Sequence, residues 1–470
     1  MKKALSTILG LASLAVLPAP ADVVVHPVSA GVALEQFQTF SPISSVPTES
    51  FAPMFMIRPT GWVFGGATLN ERTDLTFGLG ATVFSLPHNS GTFPYPFQNE
   101  LFPAVSMVQA SGSYKWGDVK APALEITFGA LPYKYNPDSK DLGEYLFRST
   151  PYPNTVLNSP FDVVNAAHAN ILGGILSKTA AGGKWKNDLF LISSNASFPL
   201  GDFSLAYITS YRINSVLEFG AGVNLFRLIP VQSELETNKN EPLNAYFTYS
   251  NGKKYTTIPG YYSGADSAIA DSVYQVLNDT SKALPSGVSG LGYYSLKGQM
   301  LMTRFSIDFK PIFGNAVDLK LYGEWAMLGV QNYPVFYDKP MERMPIMLGL
   351  NIPTWGVLDL LSVEGEYWKN PYLNSDFKVA NSTTGPVAAP YLDGNTNLGL
   401  SARDAVDGDD FRWSVTATKS LWKSLSVTAK ASSDHMQIMQ LFTNRFDRSY
   451  GDVMLQKDSW YYVLRVQVAI

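Results

Sequence analysis

The sequence predicts an all-β chain that crosses a membrane as a closed, antiparallel, up-and-down barrel of about fourteen strands, within a range of about twelve to sixteen. Three observations predict it. Apolar and polar side chains alternate with a period of two in successive hairpins, short turns and long links sort to opposite ends of the strands, and tryptophans gather at strand ends.

The chain opens with Lys2 and Lys3 ahead of an apolar run from Ala4 to Leu17 that ends at Ala19-Pro20-Ala21. This is the pattern of a secretory signal peptide over residues 1–21, cut before Asp22. Downstream no run approaches the roughly 18 consecutive apolar residues that a membrane helix needs, so any crossing must be made by strands. Charged residues are 16% of the chain and aromatics 13%, with 37 Gly and 30 Pro, a composition suited to many strands joined by turns. With no cysteine, the chain has neither a disulfide scaffold nor a thiolate site. A formal charge of −4 gives no footprint for nucleic acid.

The last segment carries the clearest alternation. Trp460, Tyr462, Leu464, Val466, Val468 and Ile470 form one row, and Tyr461, Val463, Arg465, Gln467 and Ala469 the other. It resembles the C-terminal assembly signal of bacterial outer-membrane proteins, with Ile470 in place of the usual terminal Phe. The resemblance implies a cell outer-membrane location, insertion by the barrel-assembly machinery acting on the last strand, and a surround of outer-membrane lipid.

Upstream, Phe411, Trp413, Val415 and Ala417 alternate with Arg412, Ser414, Thr416 and Thr418. After a link at 420–423, Leu425 to Ser432 repeats the form. Two further hairpins turn at Pro311-Ile312-Phe313-Gly314 and Pro353-Thr354-Trp355-Gly356. The pattern places strands near 74–87, 102–114, 120–130, 167–178, 188–197, 203–211, 216–228, 300–309, 317–329, 343–352, 359–369, 410–419, 424–434 and 459–470. Long links at 229–297, 331–342, 370–409 and 435–458 fall at the opposite rim, the known asymmetry of such barrels. Trp116, Trp185, Trp355 and Trp422 sit by the short turns and Trp368, Trp413 and Trp460 near the other ends, as two interfacial belts require.

Residues 22–73 alternate poorly and hold Pro27, Pro42, Pro47, Pro53 and Pro59. They read either as an extended periplasmic segment or as an internal plug, leaving 74–470 as the barrel. Size, strand number and this extension resemble barrels of the fatty-acid-transporter type, or porin-like barrels, in architecture; no family motif accompanies the likeness.

With the apolar row outward, the inward row offers Arg304, Asp308, Lys320, Glu324, Glu364, Glu366, Arg412 and Arg465 as lumen-lining candidates, joined by Glu125, Glu218 and Lys430. They could line water as a pore, or close the lumen through cross-strand ion pairs, with Arg304 and Asp308 facing Lys320 and Glu324. In the longest link, Ile269, Val273, Val276 and Leu277 at helical spacing predict an amphipathic helix that rests on the barrel mouth or another external loop. A loop with Tyr133, Tyr135, Tyr145, Phe147, Tyr152 and Phe161 could offer aromatic faces to sugar or lipid, or fix itself against its neighbours.

Asp434-His435 with Asp409-Asp410 resembles, in residue types alone, the catalytic set of the omptin proteases. The other histidines, His26, His88 and His168, lack metal-ligand spacing. The reading is therefore a non-enzyme without metal or cofactor, acting as a channel or passive transporter for small polar or amphipathic solutes. Its alternatives are a closed scaffold whose external loops bind a partner, polysaccharide or surface and, remotely, a rim hydrolase.

Overall fold

The computed structural model describes residues 23–40, 55–86, 100–147, 169–180, 182–193, 203–229, 245–257, 262–279, 281–293, 298–314, 317–330, 339–369, 411–433, 437–441, 448–452 and 460–470. Residues 1–21, which the sequence reads as a signal peptide, lie outside them.

The chain begins with β1 (Val23–Val25), β2 (Ser29–Phe40), β3 (Phe55–Leu69), β4 (Thr73–Leu86) and β5 (Glu100–Gly117). It continues through β6 (Pro122–Tyr133), β7 (Ala169–Ala180), β8 (Trp185–Ser193), β9 (Phe203–Arg212) and β10 (Leu217–Ile229). A lobe follows, made of β11 (Ala245–Tyr249), β12 (Lys254–Thr256), helix α1 (Gly264–Asn278) and β13 (Val288–Tyr293). Then come β14 (Gly298–Asp308), the one-turn helix α2 (Lys310–Phe313), β15 (Lys320–Met327), a 3-10 turn at Pro340–Arg343 and β16 (Ile346–Asn351). The chain ends with β17 (Leu360–Tyr367), β18 (Phe411–Ser420), β19 (Leu425–Ser432), the separate hairpin β20 (Gln437–Leu441) and β21 (Arg448–Asp452), and β22 (Trp460–Ala469).

Every wall strand pairs antiparallel with its neighbour. β2 pairs with β3 on one side and with β22 on the other, which closes sixteen strands into a ring. Closure leaves no wall edge unpaired along the paired registers, the condition for a sheet to sit in lipid. β1 continues β2 past the end of β22 and pairs with β3 alone.

The alternation has the expected sense. Val32, Leu34, Phe77, Leu189, Leu348, Phe411 and Leu464 are exposed, while Glu35, Thr82, Asp188, Glu364 and Arg412 on the opposite rows are buried. Outward positions are apolar because lipid offers them no hydrogen bonds; the polar row turns inward, where partners exist. Trp116, Trp185, Trp355 and Trp422 are exposed by the short turns. At the other end Phe40 and Trp460 stack at 4.4 Å, with Trp413 beyond. Trp368 departs from the expected belt: it is inward and 1% exposed, and its indole N–H donates to the Glu342 carbonyl at 2.9 Å.

All fourteen strands read from the sequence are present with ends shifted by a few residues, and β2 and β3 raise the count to sixteen. The segment 22–73 is thus neither tail nor plug in its described part, because two of its stretches are wall. Pro59, the one proline of the five that falls inside a described strand, sits at an outward position beside Leu34, with its carbonyl accepting from Thr82 Oγ1 at 3.1 Å. The alternation there is blurred by the outward Gln36 and Gln38, which satisfy each other through the Tyr462 hydroxyl, and by the inward Phe37.

The helix foreseen in the longest link is α1. Its apolar stripe packs within its own lobe, where Val273 joins Phe247 and Tyr255, flanked by Ile269 and Leu277, and not on the barrel mouth. Tyr246 of β11 faces the other way, onto the apolar cluster inside the barrel, and so seats the lobe on the rim.

Candidate functional site: a segment folded into the barrel

The feature that sets the interior is the stretch 134–147 between β6 and β7. It leaves the wall at Tyr133 and turns inward. β6 and β17 are eight strands apart by either route round a ring of sixteen, so they face each other across the bore. With strands about 4.8 Å apart and tilted by about 40°, such a ring is roughly 30 Å wide between backbones. The segment crosses it, since the backbone N–H groups of Lys140, Asp141 and Leu142 donate to the Glu364 carboxylate of β17 at 2.5, 2.8 and 2.9 Å.

A second wall carboxylate repeats the arrangement. Glu324 on β15 accepts from the Tyr135 hydroxyl at 2.5 Å, the Asn136 side-chain amide at 3.0 Å, and the backbone N–H groups of Glu144 and Tyr145, both at 2.9 Å. Glu364 gains a fourth donor in the Tyr322 hydroxyl, at 2.8 Å. All eight donors are neutral. An irregular segment exposes backbone N–H groups that would be costly to bury unpaired, and a buried carboxylate needs several donors; each solves the other's problem.

Charged groups complete the clamp. Asp138 accepts Lys320 at 2.8 Å, Asp141 accepts Lys430 at 2.6 Å and Ser432 Oγ at 2.9 Å, and the Tyr145 hydroxyl donates to Glu366 at 2.8 Å. Asn224 on β10 donates to the Leu146 carbonyl at 3.0 Å. Within the segment, the Asn136 N–H donates to Glu144 at 3.0 Å, and the Leu146 N–H to the Tyr135 hydroxyl at 3.0 Å. Gly143 turns at φ +88° where a Cβ would press on Met347 and Glu324, so this turn needs glycine.

Apolar side chains fill the space beneath. Leu142, Tyr145 and Leu146 pack with Ile175, Phe190 and Met302 of the inner wall, and Tyr133 and Phe147 cap the cluster. One sector of the bore is therefore a packed core. Gly349 belongs to it, because the Tyr322 ring lies where its Cβ would stand.

All eight sequence candidates fall on the inward row. Asp308 and Lys320 face each other in register at 3.5 Å, as the pairing expectation had it. Arg304 and Glu324 also lie in register, but Arg304 instead pairs with Glu218 at 2.7 Å, because the segment takes Glu324. Arg412 meets Glu366 at 3.3 Å and Arg465 meets Glu35 at 2.6 Å. Glu125 stands opposite Lys115.

The sequence reading missed Asp138 and Asp141 and the buried pair Glu35–Arg58. Of the aromatic loop, Tyr133, Tyr135, Tyr145 and Phe147 fix the chain against its neighbours; Tyr152 and Phe161 lie outside the described residues. So do His88, His168, Asp409, Asp410, Asp434 and His435. His26 is hydrogen-bonded to Thr68 at 2.7 Å. Among the described residues no group of three or more His, Cys, Asp or Glu is placed to hold a metal.

No family model matches the sequence, and no curated protein matches it. Solved structures similar to this chain include a mutant of the Rh. blastica porin (TM-score 0.41, 6% identity, 95% of this chain and 100% of the other). They also include Pseudomonas putida OprB at high pH (0.42, 10%, 94% and 94%) and Salmonella typhi OmpF in complex with daunomycin (0.42, 8%, 94% and 97%). The fold itself, a closed antiparallel ring of sixteen strands, stands on this chain's own strand pairing. The eightfold neutral clamp on Glu324 and Glu364 is set by this chain's own residues.

Proposed function

We propose that the chain is a passive channel of the outer membrane for small polar or amphipathic solutes, its bore narrowed by the segment 134–147. The observation that carries this reading is the segment itself, tied across a wide barrel by wall carboxylates. A scaffold needs no polar segment stretched over its bore, whereas a channel uses one to restrict what passes. Charges of both signs on the inner row, most of them held by partners, would present opposed fields to a solute. Export through the signal peptide, and assembly through the β22 strand by the barrel-assembly machinery, belong to the same reading.

Single-channel conductance of the refolded mature protein in a planar bilayer tests it. Discrete steps that grow when Glu324 and Glu364 are both replaced by Gln support a channel restricted by the segment. Silence in both proteins, from barrels shown to be inserted, favours the scaffold reading, for which the external lobe with its own apolar core is the observation in hand.

A further inference from the structure

The outward face of a membrane barrel should carry no unpaired charge. Among the described residues of the sixteen wall strands, two charged side chains point outward, Lys178 on β7 and Lys419 on β18. Lys419 lies at a short turn and is paired with Asp359 at 3.5 Å and the Gly356 carbonyl at 2.7 Å. Lys178 is exposed and has no carboxylate partner among the described residues.

Its neighbours are unusual for a lipid-facing surface. Lys178 lies directly opposite Asn187 of β8, and Asn187 opposite Thr209 of β9, so the three share one outward row. The Asn187 side-chain oxygen accepts the Tyr207 hydroxyl at 2.7 Å and the Thr209 hydroxyl at 3.0 Å. Thr209 in turn accepts the Trp185 indole N–H at 2.8 Å. With its oxygen used twice, the Asn187 amide presents its N–H donors beside Lys178.

Depth can be read from the same register. Trp185 and Tyr211, 46% and 45% exposed, face each other one step nearer the short turn and mark the interface. Lys178 is two residues above that row, about 7 Å along the strand, within reach of the interface for a four-carbon stem. A cation there reaches the headgroup level, where an anionic lipid supplies the charge that would hold it. The turn adds the exposed Lys184 and no acid.

We infer that the outer surface of β7–β9, at the short-turn end, holds the phosphate of an anionic phospholipid, with Lys178 as its counter-ion and the Asn187 amide as a donor. The inference rests on the barrel sitting in a bilayer and is independent of transport.

Native mass spectrometry of the folded protein in neutral detergent, titrated with phosphatidylglycerol or phosphatidylcholine, tests the site. Phosphatidylglycerol should be retained preferentially. Retention should fall about fivefold in Lys178→Gln, recover in Lys178→Arg, and be unchanged in Lys419→Gln. Equal retention by wild type and Lys178→Gln overturns the proposal. So does full displacement of the lipid by millimolar inorganic phosphate, which would mark a free-anion site, or a change of oligomeric state without a change in lipid. Heat-modifiable gel mobility confirms that each variant is folded. Conductance is scored separately: an inserted, conducting barrel whose retention ignores Lys178 sinks this site alone, and Lys178-dependent retention by a silent barrel sinks the channel alone.

Discussion

At the scale of single residues, the interior depends on a few carboxylates that each do several jobs. Glu324→Gln and Glu364→Gln keep size but replace an acceptor-only group with one that also donates, so some backbone N–H groups of 134–147 lose their partner. A charge-assisted bond of this kind contributes about 1.5–3 kcal/mol, and leaving its donor buried adds to the loss. Faster hydrogen exchange over 134–147 is expected, with larger and noisier conductance steps. Glu35 is the second such group. It accepts the Nε–H of Arg58 and of Arg465, both at 2.6 Å, from the strands on either side. Because these pairs lie directly opposite in register, a slip at the closing seam would separate them. Glu35→Gln should cost about 3–5 kcal/mol, as breaking a buried pair does, read as a lower urea midpoint for unfolding. Arg465→Met should cost less, since the Arg465 side chain keeps 22% exposure against 1% for Arg58.

At the scale of elements, the lobe of β11–β13 and α1 is a small satellite with its own core, pinned by an external network. Lys253 donates to Asp266 at 2.5 Å, and the Tyr255 hydroxyl donates to its other oxygen at 2.8 Å. The Lys253 bond, seconded by Tyr255, holds the Asp266 carboxyl below the usual range, and the same bond raises Lys253. A depressed carboxyl contributes stability that is present above its unfolded value, about 3.9, and is lost as pH falls through the folded one. The raised amine contributes below its own unfolded value and is lost only in strong alkali. Compared at one pH by hydrogen exchange, Asp266→Asn should therefore exchange faster than wild type over 245–257 near neutrality. The difference should begin to narrow as pH falls below the ordinary carboxylate value, about 3.9, and close only below the lower folded value, where wild-type Asp266 is itself protonated.

At the scale of the whole molecule, closure is the decisive event, and it is made by strands at the two ends of the chain. β2 sits between β22 and β3, and the Ala30 and Ile470 backbones exchange N–H···O bonds at 3.1 and 2.8 Å where the ring shuts. Removing 22–73 should not uncork a plugged pore. It should abolish the folded barrel, leaving no heat-modifiable band and no conductance, because fourteen strands would have to close on a register that none of them encodes.

The wall was legible in the sequence because lipid imposes one rule on every strand. An outward residue must be apolar, and a period of two reports that directly, as from Trp460 to Ile470 or Phe411 to Lys419. β2 and β3 escaped because Gln36, Gln38 and Tyr462 satisfy one another on the outside, and because Pro59 occupies an outward place. Inward candidates such as Glu364 and Arg412 could be picked by parity alone. Their partners could not: Glu364 meets Lys140 and Asp141 more than 220 residues away in sequence, and local pattern carries no information at that distance. The sequence by itself determined a β-barrel with an apolar exterior, because the solvent outside is uniform. Only the tertiary structure decided which segment enters the bore and what holds it there, because those contacts are made between chain segments that closure alone brings together.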